Sequence, residues 1–263
     1  MEIAIAELPA QTGEDRAVIF ETGVVVLDGA TSHDPSIPPA TRYVDALGRE
    51  LADRCSRETS LPTALADAIQ SAADELDLQP YSSPSSTVAV VRVNNDVVEL
   101  LVLGDSTIVV GCTNGQHDTI TDDRLNNLSI SEASEYQRRL AKGSGYDETH
   151  RRLLQELQRQ QRAKRNQHTG YWIAEADPSA AEHAVTLSYP RDAITWAVVT
   201  TDGARDTIET LGIEWSEIAA QSPASLHRIL ARCHEWEAHT DPYGRILPRS
   251  KRHDDKTVAV VRL

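Results

Sequence analysis

The chain has 263 residues, 40% hydrophobic and 25% charged, which is typical of a globular protein whose core needs no disulfide or metal. Its 26 Lys and Arg face 40 Asp and Glu, and the resulting net charge of −14 disfavours binding to nucleic acid or to an anionic membrane, because phosphates would be repelled. Three widely spaced cysteines, no basic leader and no long apolar run predict a cytoplasmic protein of one domain without a membrane span.

The first part of the chain predicts a β-hairpin with acidic residues at one end. Apolar runs at residues 17–20 and 24–27 flank a short turn, and Glu14 and Asp15 precede the first run. In a hairpin these two residues and Asp28, which follows the second run, lie at the same end of the sheet. Three carboxylates are therefore expected to converge there.

The pair Asp28-Gly29 has two interpretations. Asp-Gly is the commonest two-residue hairpin turn. An Asp at the tip of a buried strand, next to a glycine that permits close backbone approach, is also a usual way to hold a metal or a phosphate. The dipeptide alone does not decide between these interpretations.

The middle of the chain alternates helical and β patterns. Helical periodicity at residues 41–56 and 61–76 predicts an antiparallel helix pair, and apolar runs at 87–93 and 97–103 predict a second hairpin. Asp105 follows that hairpin between small residues. It is either a solvated turn residue or, like Asp28, an acidic residue at a strand end that could bind a ligand.

Residues 131–168 differ from the rest of the sequence. Nine basic and three acidic residues between positions 136 and 168 give this stretch a charge of about +6 in an acidic chain. A narrow apolar stripe predicts a surface helix at 149–166. We interpret the stretch as a basic helical insertion. Its charged face is either simply exposed to solvent, or it recruits an anionic partner or covers a site.

The pattern of an apolar strand with an acidic end returns near the C-terminus. A strand predicted at residues 194–200 leads to Asp202, and a helix containing Asp206 follows. Asp254 stands just before the closing strand predicted at 257–263. Clustered carboxylates cannot all ionise without cations, and all-oxygen ligands favour Mg²⁺ or Mn²⁺ over zinc.

Six short motifs follow one another along the chain: Gly-Glu-Asp at 13–15, Val-Leu-Asp-Gly-Ala-Thr-Ser-His at 26–33, Ser-Ser-Thr at 85–87, Leu-Gly-Asp-Ser at 103–106, Thr-Thr-Asp-Gly-Ala-Arg-Asp at 200–206 and Asp-Asp-Lys-Thr-Val at 254–258. In these motifs and their order the chain resembles a known family, the metal-dependent Ser/Thr protein phosphatases of type 2C, in particular the bacterial members. The resemblance covers nearly the whole chain. It implies an α+β fold, a four-layer α/β/β/α sandwich of two antiparallel sheets flanked by helices.

The resemblance also implies two Mn²⁺ or Mg²⁺ ions and, as in bacterial relatives, a position for a third. The implied ligands are Asp28, which bridges two ions, with the Gly29 carbonyl; Asp202 and Asp254 for one ion; Glu14 and Asp15 for the other, partly through water; and Asp105, Asp202 and Asp206 for the third. A hydroxide bridging the metals would attack phosphorus in line, without a covalent phosphoenzyme. His33, five positions after Asp28, is the candidate acid for the leaving oxygen, although a loop histidine is more often only solvated.

One position departs from the family. Four residues before Glu14 the family typically has an Arg that binds the substrate phosphate, and this chain has Ala10. The absence of a bidentate guanidinium is expected to weaken substrate binding, unless Arg16, Arg42 or the basic insertion substitutes. Asp255 stands where the family often has Asn.

The resemblance therefore implies metal-dependent hydrolysis of phosphoserine or phosphothreonine, with phosphorylated proteins as substrates. Two alternatives remain open. One is a weak or inactive relative that uses the phosphatase fold as a binding module, because of Ala10. The other is a phosphatase of small phosphorylated molecules, because the loops around a metal site determine its specificity. The sequence predicts no oligomeric state.

Overall fold

The structure, a computed structural model, describes residues 1–10, 13–30, 37–56 and 59–263. Within these ranges the strands are β1 (Glu2–Leu8), β2 (Asp15–Phe20), β3 (Gly23–Gly29), β4 (Ser86–Val93), β5 (Val97–Leu103), β6 (Thr107–Cys112), β7 (His117–Ile120), β8 (Val185–Pro190), β9 (Ile194–Thr200) and β10 (Lys256–Arg262). They form two antiparallel sheets, ordered β1-β10-β9-β6-β7 and β2-β3-β4-β5-β8.

The described helices are α1 (Ala40–Cys55), α2 (Leu61–Leu76), α3 (Ser131–Ala141), α4 (Glu148–Arg162), α5 (Asp202–Thr210), α6 (Trp215–Ala219) and α7 (Pro223–His239), with short 3₁₀ turns at Pro178–His183 and Arg191–Ala193. The first two cover the outer face of one sheet and the last three cover that of the other, whereas α3 and α4 pack against each other. Among the described helices, none has the length and apolar character needed to cross a membrane.

Alternation along the strands builds three apolar layers. On β3, Val25 and Leu27 pack against α1 and α2, whereas Val24 and Val26 face the other sheet. On β9, Val198 likewise packs against α5 to α7, and its neighbours Ala197 and Val199 lie between the sheets. The prediction of two antiparallel sheets flanked by helices is confirmed.

Long periodic segments were predicted well. The helix predicted at 61–76 is α2, the strand predicted at 97–103 is β5, and the strand predicted at 194–200 is β9. The helix predicted at 149–166 is shorter and is α4, with Leu154 and Leu157 in its buried stripe. The sequence prediction missed β7, β8 and α6.

Candidate functional site

Asp28 lies at the end of the space between the two sheets. It continues the face of β3 that carries Val24 and Val26, so its side chain follows the inter-sheet core outward. Asp15 is its direct partner in the β2-β3 register, and residues opposite each other in an antiparallel pair project to the same face. The predicted convergence of Asp15 and Asp28 is therefore present in the structure.

Gly29 permits a close approach of the chain that carries Glu14. The Gly29 N–H donates to the Glu14 carbonyl oxygen over 3.1 Å. A Cβ on Gly29 would lie 2.7 Å from that oxygen. Glu14 itself is buried, with 4% of its surface exposed, and it follows the crossing from β1 in one sheet to β2 in the other. The glycine after Asp28 therefore serves backbone packing beside the carboxylates, which a hairpin turn would not require.

Asp105 is delivered by a second crossing between the sheets. Gly104 has a φ of +83°, a conformation that favours glycine, and it allows the chain to pass from β5 to β6. Burial and, as the next largest cause, the charge of Asp202 raise the pKa of Asp105 to about 7. Asp105 thus lies beside Asp202, and Asp206 adds a smaller effect of the same sign.

Asp202 and Asp254 come from neighbouring strands of the other sheet. Asp202 begins α5 directly after β9, and Asp254 lies just before β10, which pairs with β9. A Cβ on Gly203 would lie 2.2 Å from the Asp255 carbonyl oxygen and 3.0 Å from Asp254 Cβ. The second Asp-Gly pair therefore has the same function as the first, because it lets two acidic segments approach each other.

The electrostatics show that these carboxylates share one region. Burial raises the pKa of Asp28 well above its ordinary value, and four neighbouring charges raise it further: Asp15, Asp202, Asp254 and Asp105. Burial also raises the pKa of Asp15 to about 8, against the hydrogen bond that Thr201 Oγ1 donates over 2.9 Å. Burial raises the pKa of Asp254 as well. The cluster cannot carry all its negative charges without added cations.

Lys251 supplies one positive charge to this cluster. Its Nζ lies 2.7 Å from Asp254 Oδ1. Burial would lower the pKa of Lys251, but the charges of Asp254, Asp28 and Asp202 together raise it above the ordinary value. Lys251 and the Arg205 guanidinium offset only part of the charge of the five aspartates, so the donor set fits divalent cations.

Asp255 has a structural task. Its Oδ1 accepts the Ala10 N–H over 2.6 Å, and its Oδ2 accepts the Glu14 N–H over 2.5 Å. Both oxygens therefore hold the ends of the segment between β1 and β2. Asp255 thereby positions Glu14, and it does so across more than 240 residues of sequence.

The residues implied for a third ion, Asp105, Asp202 and Asp206, lie at the side of the cluster near α3. Asp206 is paired with Arg205 over 2.7 Å, and Arg205 also donates to Thr107 Oγ1 over 2.9 Å. Burial raises the pKa of Tyr136 on α3, and Asp202 and Asp206 raise it further. The basic insertion therefore approaches the carboxylates through α3.

Three predicted residues need separate comment. His33 lies outside the described residues, so its role as an acid stays a prediction. The Arg16 guanidinium donates to Asp45 Oδ1 over 2.5 Å and to the Gly13 carbonyl oxygen over 2.6 Å. Binding of a phosphate by Arg16 would require these bonds to be exchanged. Arg42 is exposed on α1.

Sequence reasoning did not identify Thr201, Lys251 or the positioning function of Asp255. The Thr201 hydroxyl donates to Asp15 and accepts the Thr257 N–H over 3.1 Å, so it ties β2 to β10. Thr201 stands beside Asp202 in a recognised motif, which is a weak signal. Lys251 lies in a run of basic residues with no feature that separates it from its neighbours.

Replacement of Gly203 with Ala is expected to weaken Mn²⁺ binding at least about tenfold and to destabilise the fold by about 1–3 kcal/mol, because the added methyl group must displace the backbone at Asp255 and Asp254. Calorimetric Mn²⁺ titration and thermal unfolding measure the two effects. Gly212→Ala is the control. Gly212 has a φ of +64° and no atom within 4 Å of an added Cβ, so that variant loses stability but keeps Mn²⁺ affinity. Equal Mn²⁺ affinities in the two variants would contradict the prediction.

Comparisons with known proteins agree with this geometry. The sequence model of the family described as Protein phosphatase 2C matches residues 12–238. No curated protein sequence matches the chain. Among solved structures, serine/threonine phosphatase Stp1 from Staphylococcus aureus is similar with a TM-score of 0.59 at 14% identity, covering 100% of this chain and 94% of that one.

Two further solved structures have the same fold. The Mycobacterium tuberculosis serine/threonine phosphatase PstP/Ppp has a TM-score of 0.55 at 14% identity, covering 100% of this chain and 98% of that one. The catalytic domain of PstP in complex with two manganese ions has a TM-score of 0.51 at 16% identity, with 98% and 96% covered. The family match extends over most of the described sheets and helices, and the chain therefore belongs to the protein phosphatase 2C family.

Proposed function

We propose that this chain hydrolyses phosphoserine and phosphothreonine in proteins, with Mn²⁺ or Mg²⁺ ions held by the carboxylates between its two sheets. The observation that carries the proposal is the cluster around Asp28, where buried and half-buried aspartates from both sheets have pKa values raised by burial and by one another's charges. The manganese-bound relative, PstP, supports the choice of metal. When bound, such ions would polarise the phosphoryl group and activate a water as the nucleophile.

The residues have distinct tasks in this proposal. Asp28, which lies between the two sheets, would be shared by two ions, and the Gly29 carbonyl would add a ligand. Asp202 and Asp254 would hold one ion, and Glu14 and Asp15 would hold the other, partly through water. Asp105, Asp202 and Asp206 would form the third position. His33 donates the proton to the departing serine or threonine oxygen.

Segment 131–168 is proposed as a cover for the third-ion side of the site. Tyr136 on α3 lies within the field of Asp202 and Asp206. Most of the arginines pair locally, as Arg138 does with Glu135 and Arg159 does with Glu156. Local pairing reduces the field available to an anionic partner, so covering the site is the better-supported function of the insertion.

A second candidate function is a weak or inactive binding module, and a specific observation favours it. The backbone of Ala10 is held by Asp255, and its methyl side chain offers no cation for a phosphate. The nearby Arg16 guanidinium already contacts Asp45 and two carbonyl oxygens, those of Gly13 and Asp15. Phosphate binding therefore depends on the metal ions, on Arg42 or on the insertion.

Phosphate release from p-nitrophenyl phosphate and from a phosphothreonine peptide tests the proposal. Turnover of both substrates is expected with Mn²⁺ or Mg²⁺, and none is expected with a chelator, because the carboxylates alone repel the phosphate. Calorimetry on the same preparation reports whether Mn²⁺ is bound.

The alternative outcomes are distinct. Bound Mn²⁺ without turnover of either substrate would overturn the enzyme function and support the binding module. Turnover of p-nitrophenyl phosphate and small phosphomonoesters, but of no phosphopeptide, would support a small-molecule phosphatase. Turnover that is unaffected by the chelator would refute the metal site.

A further inference from the structure

A second group of side chains of the metal-ligand type lies where α7 meets the loop before β10, and it contains none of the residues of the aspartate cluster. His234 and Glu237 are three residues apart on α7 and therefore share one helix face. His253 comes from the loop that precedes β10. One ligand atom from each of these residues lies within 4.8 Å of the other two. In the described part of the chain, no other three His, Cys, Asp or Glu side chains meet this distance.

Glu237 is already fixed for such a function. It is buried, with 1% of its surface exposed, and its Oε1 accepts from Thr207 Oγ1 over 2.8 Å and lies 2.8 Å from Lys256 Nζ. Its other oxygen, Oε2, faces His253 Nδ1 at 2.9 Å. Hydrogen bonds to one oxygen of a carboxylate orient the other oxygen, as the outer contacts of metal ligands commonly do.

One ring nitrogen from each histidine and a carboxylate oxygen of Glu237 make up the three possible ligands. The rings of His234 and His253 are stacked, with centroids 4.0 Å apart and planes inclined by 23°. Both residues are half-buried, so water can reach them. Ligand bonds of about 2.0–2.1 Å in tetrahedral geometry require ligand atoms about 3.4 Å apart. The three ligand atoms already lie within 4.8 Å of one another, so small side-chain movements would bring them to that spacing.

The ligand chemistry selects the ion. Two imidazole nitrogens and one carboxylate oxygen suit Zn²⁺, whereas all-oxygen sites suit Mg²⁺ and Mn²⁺. Lys256 Nζ, 2.8 Å from Glu237, disfavours an ion that binds by charge alone. Zn²⁺ binds imidazole nitrogens strongly enough to offset that repulsion, whereas Mg²⁺ binds them weakly.

We propose that His234, Glu237 and His253 bind one Zn²⁺ ion per chain, with water as the fourth ligand. The ion takes the place of the proton between His253 Nδ1 and Glu237 Oε2, and that proton is released to solvent. The site joins α7 to the loop that carries Asp254, so its occupancy would tie this loop to the helix. The proposal does not depend on phosphatase activity.

Zinc titration by calorimetry, in an excess of Mg²⁺ that occupies the carboxylate region, tests the site. The wild-type chain is expected to bind one more equivalent of Zn²⁺ than His234→Ala, or to bind it at least about 100-fold more tightly. His227→Ala, an exposed histidine on the same helix, is the matched control and should behave as the wild type. Equal Zn²⁺ binding by all three proteins would overturn the proposal.

Cobalt substitution provides a readout that needs no variant. Co²⁺ in a site with two nitrogen ligands and tetrahedral geometry gives intense visible d–d absorption, whereas Co²⁺ in an octahedral oxygen site absorbs weakly. We expect one equivalent of the intense form in the wild-type chain, displaced by Zn²⁺ but not by Mg²⁺. A spectrum with only the weak form would refute the site even if His234→Ala failed to fold.

Discussion

Asp28→Asn is expected to reduce Mn²⁺-dependent phosphate release about 10³-fold or more and, at the same time, to raise the melting temperature of the metal-free protein. The activity falls because Asp28 is the proposed shared ligand of two ions, and an amide supplies neither the charge nor a bridge. The melting temperature rises because the Asp28 charge is buried beside Asp15, Asp202, Asp254 and Asp105, which raises its pKa and therefore destabilises its ionised form.

The size of the stability gain follows from the same argument. Each unit by which the pKa of Asp28 is raised corresponds to about 1.4 kcal/mol against the ionised folded state. A domain of this size gains about 2–4 °C in melting temperature per kcal/mol, so thermal unfolding of the metal-free protein measures the direction of the change. Added Mn²⁺ should stabilise the wild type but not Asp28→Asn, because only a protein that binds the ion gains from mass action.

Asp96→Asn is the matched control for these measurements. Asp96 is exposed in the turn between β4 and β5, at the end of the sheet away from Asp28. It should change neither the activity nor the melting temperature. Unchanged activity in Asp28→Asn, or a lower melting temperature of its metal-free form, would contradict the assignment. A carboxylate that only stabilises the fold would give the second result.

The sequence predicts the core elements of this molecule better than its edge strand and its shortest helix. Core strands and helices follow local apolar periodicity, and β5, β9 and α2 were found at their predicted residues. In β8 most residues are exposed at the sheet edge, so its pattern lacks an apolar face. The five residues of α6 are too few for helical periodicity to be visible.

The candidate site was predictable only in its acidic residues. Asp28 and Asp202 stand at the ends of apolar strands, and an acidic residue at such a position can be recognised from the neighbouring sequence alone. The contacts that position the carboxylates carry no such signal, because they join distant segments. Asp255 holds Ala10 and Glu14 from the other end of the chain. Polar residues near a strand end are common, and only the folded chain shows which of them meet.

Glycines illustrate the same limit. The Gly after each Asp was consistent with an ordinary turn, and the structure shows a different reason for both. Gly29 lies against the Glu14 carbonyl, and Gly203 lies against the Asp255 carbonyl. In each case the close contact joins segments that are distant in sequence or lie in separate elements. Only the folded structure therefore shows that a side chain larger than that of glycine would clash at these two positions.

The metal-free protein is expected to lose stability as the pH rises from about 5 to 8.5, and Mn²⁺ is expected to remove most of that loss. Burial raises the pKa of Asp15 to about 8 and that of Asp105 to about 7. In the unfolded chain both groups titrate near 3.8. Between these values the folded state binds more protons than the unfolded state, so the free energy of unfolding decreases with increasing pH.

Thermal unfolding of the metal-free protein at pH 5.5 and 8.5 measures this dependence, and the melting temperature should be lower at pH 8.5 by several degrees. Addition of Mn²⁺ should remove most of this difference, because the ion binds only deprotonated carboxylates and its affinity therefore increases with pH. Asp15→Asn should show a weaker pH dependence, since one of the raised groups is removed. A metal-free protein that is more stable at pH 8.5 would show that the carboxylates ionise without opposing one another. Such a result would remove the physical reason for placing cations between the two sheets.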